Sequence, residues 1–394
     1  MVDTYRIGRC ISAFSDEELE NRRAAAQKYM AANNLDAIFI MGHEPKAGGA
    51  MRYFMDFPSD LGRYCAYGII PREGEYAIFS HGPFQQKAQP HVDRGIALNF
   101  AAPYSHVWEA TKNFCPPAAV DWLELHGYKK FGICHKNMVS FRFVDYILRK
   151  IEGATLISVD DGIDSLRASK SDVEIALHKY AAEIHDKIFA GIPGFLKPGR
   201  LERDVATDIK KLSWDLGSDM WTVNVGSDAK KAANLFYEMQ NREIEGGDVV
   251  CVHVQVSEPG GYWGTLSRMF VVGGEPSAEL EKASADSLKI QAELAALAKP
   301  GVAPVELRKA LLKFQEENGY KVGSGFFAHG QGTDPIERPA AEEGETFTFE
   351  ENNIIAIYPA LETDDVYVLN GDNYIVTKDG AVRLNQTAQG IIRV

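Results

Sequence analysis

The stretch that decides the fold reads Gly-Asp-Val-Val-Cys-Val-His over residues 247–253 and resumes as Gly-Tyr-Trp-Gly-Thr-Leu-Ser-Arg-Met-Phe over residues 261–270. The first run is apolar and is typical of a β-strand. Because side chains alternate between the two faces of a strand, His253 shares its face with Cys251 and Gln255. A histidine titrates near neutral pH and can act as a general acid or base, but a single histidine on a strand is more often a hydrogen-bonded core residue.

Composition indicates a globular protein with room for two domains. The chain has 394 residues, of which 45% are hydrophobic and 25% are charged, and its formal net charge is −13. A chain of this length can bury two substantial cores. The acidic balance argues against nucleic acid and against an anionic membrane as partners, because both attract basic surfaces.

Cysteine usage and the N-terminus bear on the compartment. Five cysteines are scattered without paired ligand spacing, which is typical of reduced thiols rather than of a disulfide framework or a zinc site. Residues 1–6 contain no apolar signal region, and no apolar run is long enough to span a bilayer. We therefore expect a cytoplasmic protein.

Local patterns predict an α/β domain over residues 1–160 and a second domain over residues 161–394. Residues 16–33 have helix-forming composition behind Ser15, a residue type that favours the N-cap position. Short apolar runs with strand character alternate with helical stretches. These runs cover residues 37–41, 66–70, 76–80, 131–134 and 155–159. Residues 160–165 are polar and are expected to connect the domains.

The second half contains a weak internal repeat. Lys-Pro-Gly at 197–199 precedes a helical segment that stops at Gly217, and Lys-Pro-Gly at 299–301 precedes one that stops at Gly319. Each unit consists of a turn, an amphipathic helix and a glycine stop. The repeat predicts a domain built from two related halves.

Five motifs, in this order, resemble the creatinase, prolidase and aminopeptidase P family, whose fold is called pita-bread. The two runs quoted above resemble its metal-binding hairpin. The other motifs are Ala-His-Gly-Gln-Gly (328–332), Glu-Arg-Pro (337–339), Ile-Ile-Ala-Ile-Tyr-Pro (354–359) and Asp-Asn-Tyr-Ile-Val-Thr (372–377). The resemblance implies an α/β N-terminal domain followed by an α+β pita-bread (creatinase/aminopeptidase-like) C-terminal domain.

The resemblance also locates the positions at which metallopeptidase members hold their metals. Carried over one by one, these positions are His253, Thr265, His329, Tyr358 and Gly371. Only one of the five matches the family's ligand type. A dinuclear divalent site needs several carboxylates to balance charge and to bridge the ions. We therefore expect no metal and no other cofactor.

The resemblance to creatinase, the metal-free member, is also partial. The catalytic histidine of creatinase falls on Phe236, or near Asn234 if the loop is shifted, and its two glutamates fall on Ser267 and Tyr358. Arg63 resembles the creatinase arginine that reaches into the site of the partner subunit. The resemblance therefore implies a homodimer.

His253, His329, Tyr358 and Glu337 are the predicted catalytic residues. An imidazole can move a proton near neutral pH, and a phenol can donate a hydrogen bond to an oxyanion. A carboxylate such as Glu337 can act as a base or orient a histidine. The alternatives are hydrogen-bonded core histidines, a buried phenol and, for Glu337, a structural ion pair.

A second group of residues is predicted to contact the substrate. Aromatic residues cluster around the motif positions, and aromatic walls suit a flat apolar ligand. For any single one of them, ordinary core packing is the alternative. The predicted substrate-binding residues are Arg63, Trp221, Phe236, Trp263, Thr265 and Phe327.

Three classes of function follow from these residues. The first is a metal-independent lyase that cleaves a small aromatic molecule by retro-aldol cleavage or elimination, using acid–base groups alone. The second is a creatinase-like hydrolase of a C–N bond. The third is a non-catalytic binding protein with the same fold. We expect the lyase, narrowly ahead of the hydrolase, with a small molecule as substrate.

Overall fold

The computed structural model describes residues 5–7, 10–12, 15–42, 48–57, 66–81, 94–102, 115–218, 221–232, 241–323 and 328–394. The chain divides into two compact units, Met1–Arg167 and Ala168–Val394. Arg63, Phe236 and Phe327 lie outside the described residues, as does the side chain of Trp221.

The first unit is built on a six-stranded mixed sheet with the strand order β6-β5-β4-β3-β7-β8. Its strands are β3 Ala37–Gly42, β4 Ala66–Pro71, β5 Tyr76–His81, β6 Ile96–Ala102, β7 Lys130–Ile133 and β8 Thr155–Ser158, preceded by the small pair β1 Tyr5–Ile7 and β2 Cys10–Ser12. Its helices are Asp16–Ala32, Gly49–Met55, Cys115–Leu125, Phe141–Lys150 and Asp160–Ala168, with a 3₁₀ turn at Lys136–Met138.

Alternation along β3 shows why helices cover both faces of this sheet. Ile38 belongs to a core cluster with Met30 of the first helix, whereas Phe39 packs edge-on against Phe143 at 4.8 Å between ring centroids. A strand that is apolar at every position must be buried on both faces. The α/β architecture predicted for this half of the chain follows from that pattern.

Two local predictions in this unit have different outcomes. The first helix begins behind Ser15, whose hydroxyl accepts a hydrogen bond from the Glu18 backbone N–H at 3.1 Å, as predicted. The predicted connector at 160–165 is wrong, because Asp160–Ala168 is a helix. Two aspartates in its first turn favour the positive end of the helix dipole, and Ile163 is fully buried in the core.

The second unit contains a four-stranded sheet with the order β19-β11-β10-β9 and a five-stranded sheet with the order β13-β12-β14-β17-β18. Their strands are β9 Trp221–Asp228, β10 Val249–Ser257, β11 Trp263–Val271, β12 Ala328–Gly330, β13 Glu337–Ala340, β14 Ile354–Ile357, β17 Asp372–Thr377, β18 Gly380–Arg383 and β19 Ile391–Arg393. A small separate pair consists of β15 Ala360–Glu362 and β16 Tyr367–Leu369. The helices are Asp172–Phe195, Glu202–Asp215, Ala278–Leu297 and Val305–Glu317.

The predicted repeat is present in this unit. Gly199 and Gly301 both have φ of +84°, and the helices that follow end before Gly217 and Gly319, whose φ values are +96° and +77°. A positive φ is strained for residues with a Cβ, so glycine is favoured at each turn and stop. The two halves thus use the same local device.

One short bridge joins the two sheets of the second unit. Ser267 on β11 and Gly371, just before β17, exchange backbone N–H···O hydrogen bonds of 3.2 Å in both directions. The approach is close, because a Cβ added at Gly371 would lie 2.6 Å from the Cβ of Tyr358. This bridge lies at the functional positions described next.

Candidate active site on the inner face of the hairpin

Strand register places six polar side chains on one face of β9, β10 and β11. His253 lies opposite Asn224 on β9 and opposite Ser267 on β11. The neighbouring rung has Gln255 opposite Thr222 and Thr265. Residues that pair across strands share a face, so the two rungs form a continuous polar surface. We call these six residues the polar face; they are Thr222, Asn224, His253, Gln255, Thr265 and Ser267.

His253 is hydrogen-bonded through one ring nitrogen and is partly exposed to solvent. Its Nδ1 lies 2.7 Å from the hydroxyl of Ser267, which is fully buried, while the imidazole ring itself is half-buried. Burial, and to a smaller extent the neighbouring His329, lower the pKa of His253 to about 4. The ring is therefore neutral at pH 7 and retains a lone pair that can accept a proton.

Tyr358 and His329 form a hydrogen-bonded pair beside this ring. His329 Nδ1 lies 2.8 Å from the Gly330 carbonyl oxygen, which can only accept, so Nδ1 carries the proton. His329 Nε2 therefore accepts from the Tyr358 hydroxyl at 2.8 Å. Burial raises the pKa of Tyr358 and lowers the pKa of His329 to about 4, so both are neutral. The Tyr358 and His253 ring centroids are 5.7 Å apart.

Thr265 is fully buried and is held by two amide side chains. Its Oγ1 accepts hydrogen bonds from Gln331 Nε2 at 2.7 Å and from Gln255 Nε2 at 3.3 Å. Its backbone N–H donates to Asn373 Oδ1 at 2.7 Å, which ties β11 to β17. Thr265 therefore orients Gln255, which is half-buried, and its own side chain is covered.

The site does not fit the pair of divalent ions that its position in the fold implies. Gly371 has no side chain, and a Cβ added there would lie 2.6 Å from the Cβ of Tyr358, so these two positions together offer only a phenol. The remaining groups are two neutral imidazoles and a hydroxyl, which carry no charge to balance two cations. Among the described residues, no group of three or more His, Cys, Asp or Glu side chains is arranged to hold a metal.

Glu337 lies on β13 in a buried ion pair. Its Oε2 accepts from Lys170 Nζ at 3.0 Å and its Oε1 accepts from the Asp334 backbone N–H at 3.0 Å. Both charged side chains are almost completely buried. This placement favours the structural ion pair over a catalytic base.

Besides Thr265, Trp263 is the predicted substrate-binding residue whose side chain the structure describes. Trp263 points to the same side as Thr265 and is fully buried, and its indole Nε1 has no hydrogen-bond partner in the described part of the chain.

Sequence reasoning did not identify Asn224 or Gln331 as site residues, and it noted Ser267 only as a changed position. Alternation beside His253 was the available signal for Ser267, once the pairing of β10 with β11 was known.

Comparisons with known proteins agree with this architecture. The model of metallopeptidase family M24 matches residues 176–388, and the creatinase/prolidase N-terminal domain matches residues 22–169. The chain belongs to metallopeptidase family M24. The predicted fold class, an α/β N-terminal domain with a pita-bread domain behind it, is confirmed.

Two relatives illustrate the similarity to other members of this family. The Xaa-Pro dipeptidase of Pyrococcus horikoshii is 26% identical over 273 residues, which cover 68% of this chain and 76% of the relative. The probable dipeptidase PepE of Mycobacterium tuberculosis is 29% identical over 249 residues, 61% of this chain and 65% of its own.

A solved structure shows the same fold over almost the whole chain. The prolidase of Thermococcus sibiricus has a TM-score of 0.80 at 20% identity and covers 97% of this M24 member and 100% of its own chain. At that identity the likeness establishes the fold alone. Within the described residues, none of the helices combines the length and the apolar composition that crossing a bilayer requires.

The family corrects the predicted reaction. The prediction of an enzyme is confirmed at the level of the family, but the prediction of a metal-independent lyase for an aromatic molecule is wrong. The relatives are named as dipeptidases, which are hydrolases. The prediction had taken the clustered aromatic residues as a wall for an aromatic ligand, and the names of the relatives point to dipeptides instead.

Proposed function

We propose that the protein is a hydrolase that cleaves a C–N bond of a small molecule, with His253 as general base. Two independent lines support this. The relatives are named for hydrolysis of dipeptides, in which an amide C–N bond is broken. The single observation that carries the proposal is a neutral, half-buried imidazole whose Nδ1 is held at 2.7 Å by the buried Ser267 hydroxyl.

The chemistry assigned to His253 balances without a further reactant. A water molecule at Nε2 gives its proton to the imidazole as its oxygen attacks the carbonyl carbon. The same imidazolium then returns that proton to the leaving nitrogen as the C–N bond breaks, which yields an acid and an amine. Base catalysis of this kind contributes roughly 10²- to 10⁴-fold to a rate.

Tyr358 is the second residue with a proposed role. At rest its hydroxyl donates to His329, which fixes the phenol beside His253. A hydroxyl rotates about its C–O bond at little cost, so the same proton can turn to the oxygen on which charge develops. Removal of one such donor costs roughly 10²- to 10³-fold in turnover in hydrolases that use it.

The test is hydrolysis by the purified full-length protein of a panel of Xaa-Pro dipeptides and small amides, followed by mass spectrometry. We expect turnover that His253→Gln lowers by roughly 10²- to 10⁴-fold and Tyr358→Phe reduces, while the exposed control His126→Gln leaves it unchanged. Reactions run with and without added divalent ions separate the two ways in which water could be activated. Turnover that His253→Gln leaves unchanged, or no hydrolysis of any panel member, would refute the proposal.

We also propose a homodimer in which Arg63 contributes to the site of the partner. Light scattering on the purified protein tests the assembly, and Arg63→Ala tests the contribution. A fully active monomer contradicts this proposal.

A further inference from the structure

Four polar atoms around the polar face have no hydrogen-bond partner among the described residues. All four are buried from solvent, and a buried polar atom without a partner is unfavourable unless a ligand or a bound water pairs with it. Such atoms therefore indicate where a ligand's polar groups fit. They are Thr222 Oγ1, Asn224 Oδ1, Trp263 Nε1 and Gln331 Oε1.

These four atoms belong to residues that lie on, or are hydrogen-bonded to, the same face of the sheet. Thr222 and Asn224 are two residues apart on the edge strand β9, so their side chains lie on the same face. They flank Gln255 and His253, which are their cross-strand neighbours. Gln331 reaches the same rung from the second sheet through its hydrogen bond to Thr265.

Charge is missing from this set. Each of the four atoms belongs to an uncharged side chain. The nearby buried charges are neutralised by each other, Glu337 by Lys170 and Asp372 by Arg268 at 2.7 Å. A charged ligand group entering here loses its hydration without gaining an opposite charge, which is strongly unfavourable.

The unpaired atoms are mainly acceptors. Asn224 Oδ1 and Gln331 Oε1 accept only, the Thr222 hydroxyl both donates and accepts, and the indole N–H donates. Their complement is a planar uncharged group with two N–H donors and one carbonyl oxygen. A primary carboxamide has this pattern, whereas a carboxylate lacks the donors and an amidinium lacks the acceptor.

We propose that Thr222 and Asn224, with Gln331 behind them, form a subsite for an uncharged carboxamide group of the substrate. This inference rests on the proposed function, because it names the substrate class of the same site. A dipeptide with a free carboxylate at this position is then a poor substrate, and its amidated counterpart is a good one.

The experiment compares three probes of equal shape, acetamide, acetate and acetamidinium, binding to the full-length protein. Selective ¹⁵N labelling of the ten histidines gives few enough NMR signals to follow, and His253→Gln assigns the signal of His253. We expect acetamide to shift the His253 signal and to bind about tenfold more tightly than either charged probe. Burial of one unpaired charge should cost at least this factor in affinity.

Three variants make the test specific. Asn224→Asp adds a carboxylate without changing the shape, so preference should pass to acetamidinium. Thr222→Val keeps the shape and removes the hydroxyl, so acetamide binding should weaken several-fold. The exposed Asn241→Asp adds the same charge elsewhere and should change nothing. Should Asn224→Asp fail to fold, Thr222→Val still decides.

The outcomes separate this inference from the proposed function. Equal binding of the three probes, or tighter binding of acetate, overturns the carboxamide subsite even if His253-dependent hydrolysis is observed. Selective acetamide binding without hydrolysis of any amide leaves the subsite standing and refutes the hydrolase. An unchanged preference in Asn224→Asp shows that the probes bind elsewhere and also overturns the subsite.

Discussion

The two faces of the sheet formed by β9, β10 and β11 are made by alternate residues of the same strands, and they differ completely. On the outer face, residues such as Val223, Val254 and Leu266 are fully buried against the helices. On the inner face, their immediate neighbours Asn224, His253 and Ser267 are polar, and His253 is hydrogen-bonded to Ser267. One face stabilises the fold, and the other is left free for chemistry.

This difference explains how the fold could persist while its metal positions changed. Substitutions at inner positions leave the outer valine layer intact, so the strands remain paired and covered. The inner face then only has to satisfy its own polar groups, as Ser267 does for His253 and Tyr358 does for His329. Substitutions at adjacent residues of one strand should therefore have different effects: inner-face substitutions should lower activity, and outer-face substitutions should lower stability.

The largest effect is expected from the inner face. His253→Gln should lower kcat for the proposed hydrolysis by roughly 10²- to 10⁴-fold, because the neutral base is removed. Its unfolding midpoint in urea should change little, since glutamine can still bond Ser267. Steady-state kinetics and urea denaturation of the same preparation check both statements. A large loss of stability at constant turnover would place His253 on the structural side of the comparison.

The outer face should show the converse. Leu266→Ala deletes a fully buried side chain packed between β11 and the helices, and should cost about 2–5 kcal/mol of unfolding free energy. Turnover per folded molecule should stay near the wild-type value. Ser267→Ala, one residue along and on the other face, is the matched control. Ser267→Ala should lower turnover more than it lowers stability, because His253 loses its hydrogen bond.

Acid should destabilise the fold through His185, which is buried against the outer face. Burial lowers the pKa of His185 to about 4, and its Nε2 accepts from the Val256 backbone N–H at 3.3 Å. A folded-state pKa below the unfolded value of about 6.5 means that stability is complete above that pH and is lost as the pH falls from there towards 4. The loss should be on the order of 3 kcal/mol. Urea unfolding from pH 7.5 to 4.5 measures it.

His185→Gln provides the comparison for that titration. The variant should be less stable at pH 7.5 and should show a shallower decline with acid than the wild type. A wild-type stability that does not change between pH 6.5 and 4.5 would contradict the neutral state assigned to His185.

The smallest effect is expected from a chelator. Because the inner face offers no carboxylates to hold two divalent ions, excess EDTA should leave the thermal unfolding midpoint unchanged. Elemental analysis of the purified protein should find less than stoichiometric divalent metal. A midpoint that falls with EDTA and returns with added metal would contradict the argument that the site does not fit two divalent ions.

Much of the fold could be predicted because its signals are local. The Ser15 cap, the strand runs and the two Lys-Pro-Gly turns each depend on neighbours within a few residues. The site could be predicted only in part, because its partners come from distant segments. Lys170 meets Glu337 across 167 positions, and Asn224 meets His253 only through the pairing of β9 with β10. Alternation identifies a face, but only the register identifies which residues share a rung.

The protonation state of His253 tests the account most directly. In ¹⁵N NMR of the histidine-labelled protein at pH 7, we predict a neutral ring with the proton on Nδ1, bonded to Ser267, and an unprotonated Nε2. The signal should lose its Nδ1 hydrogen-bond signature in Ser267→Ala. A charged imidazolium at pH 7, or a proton on Nε2 that persists in the substrate-bound protein, would contradict the assignment of His253 as the base.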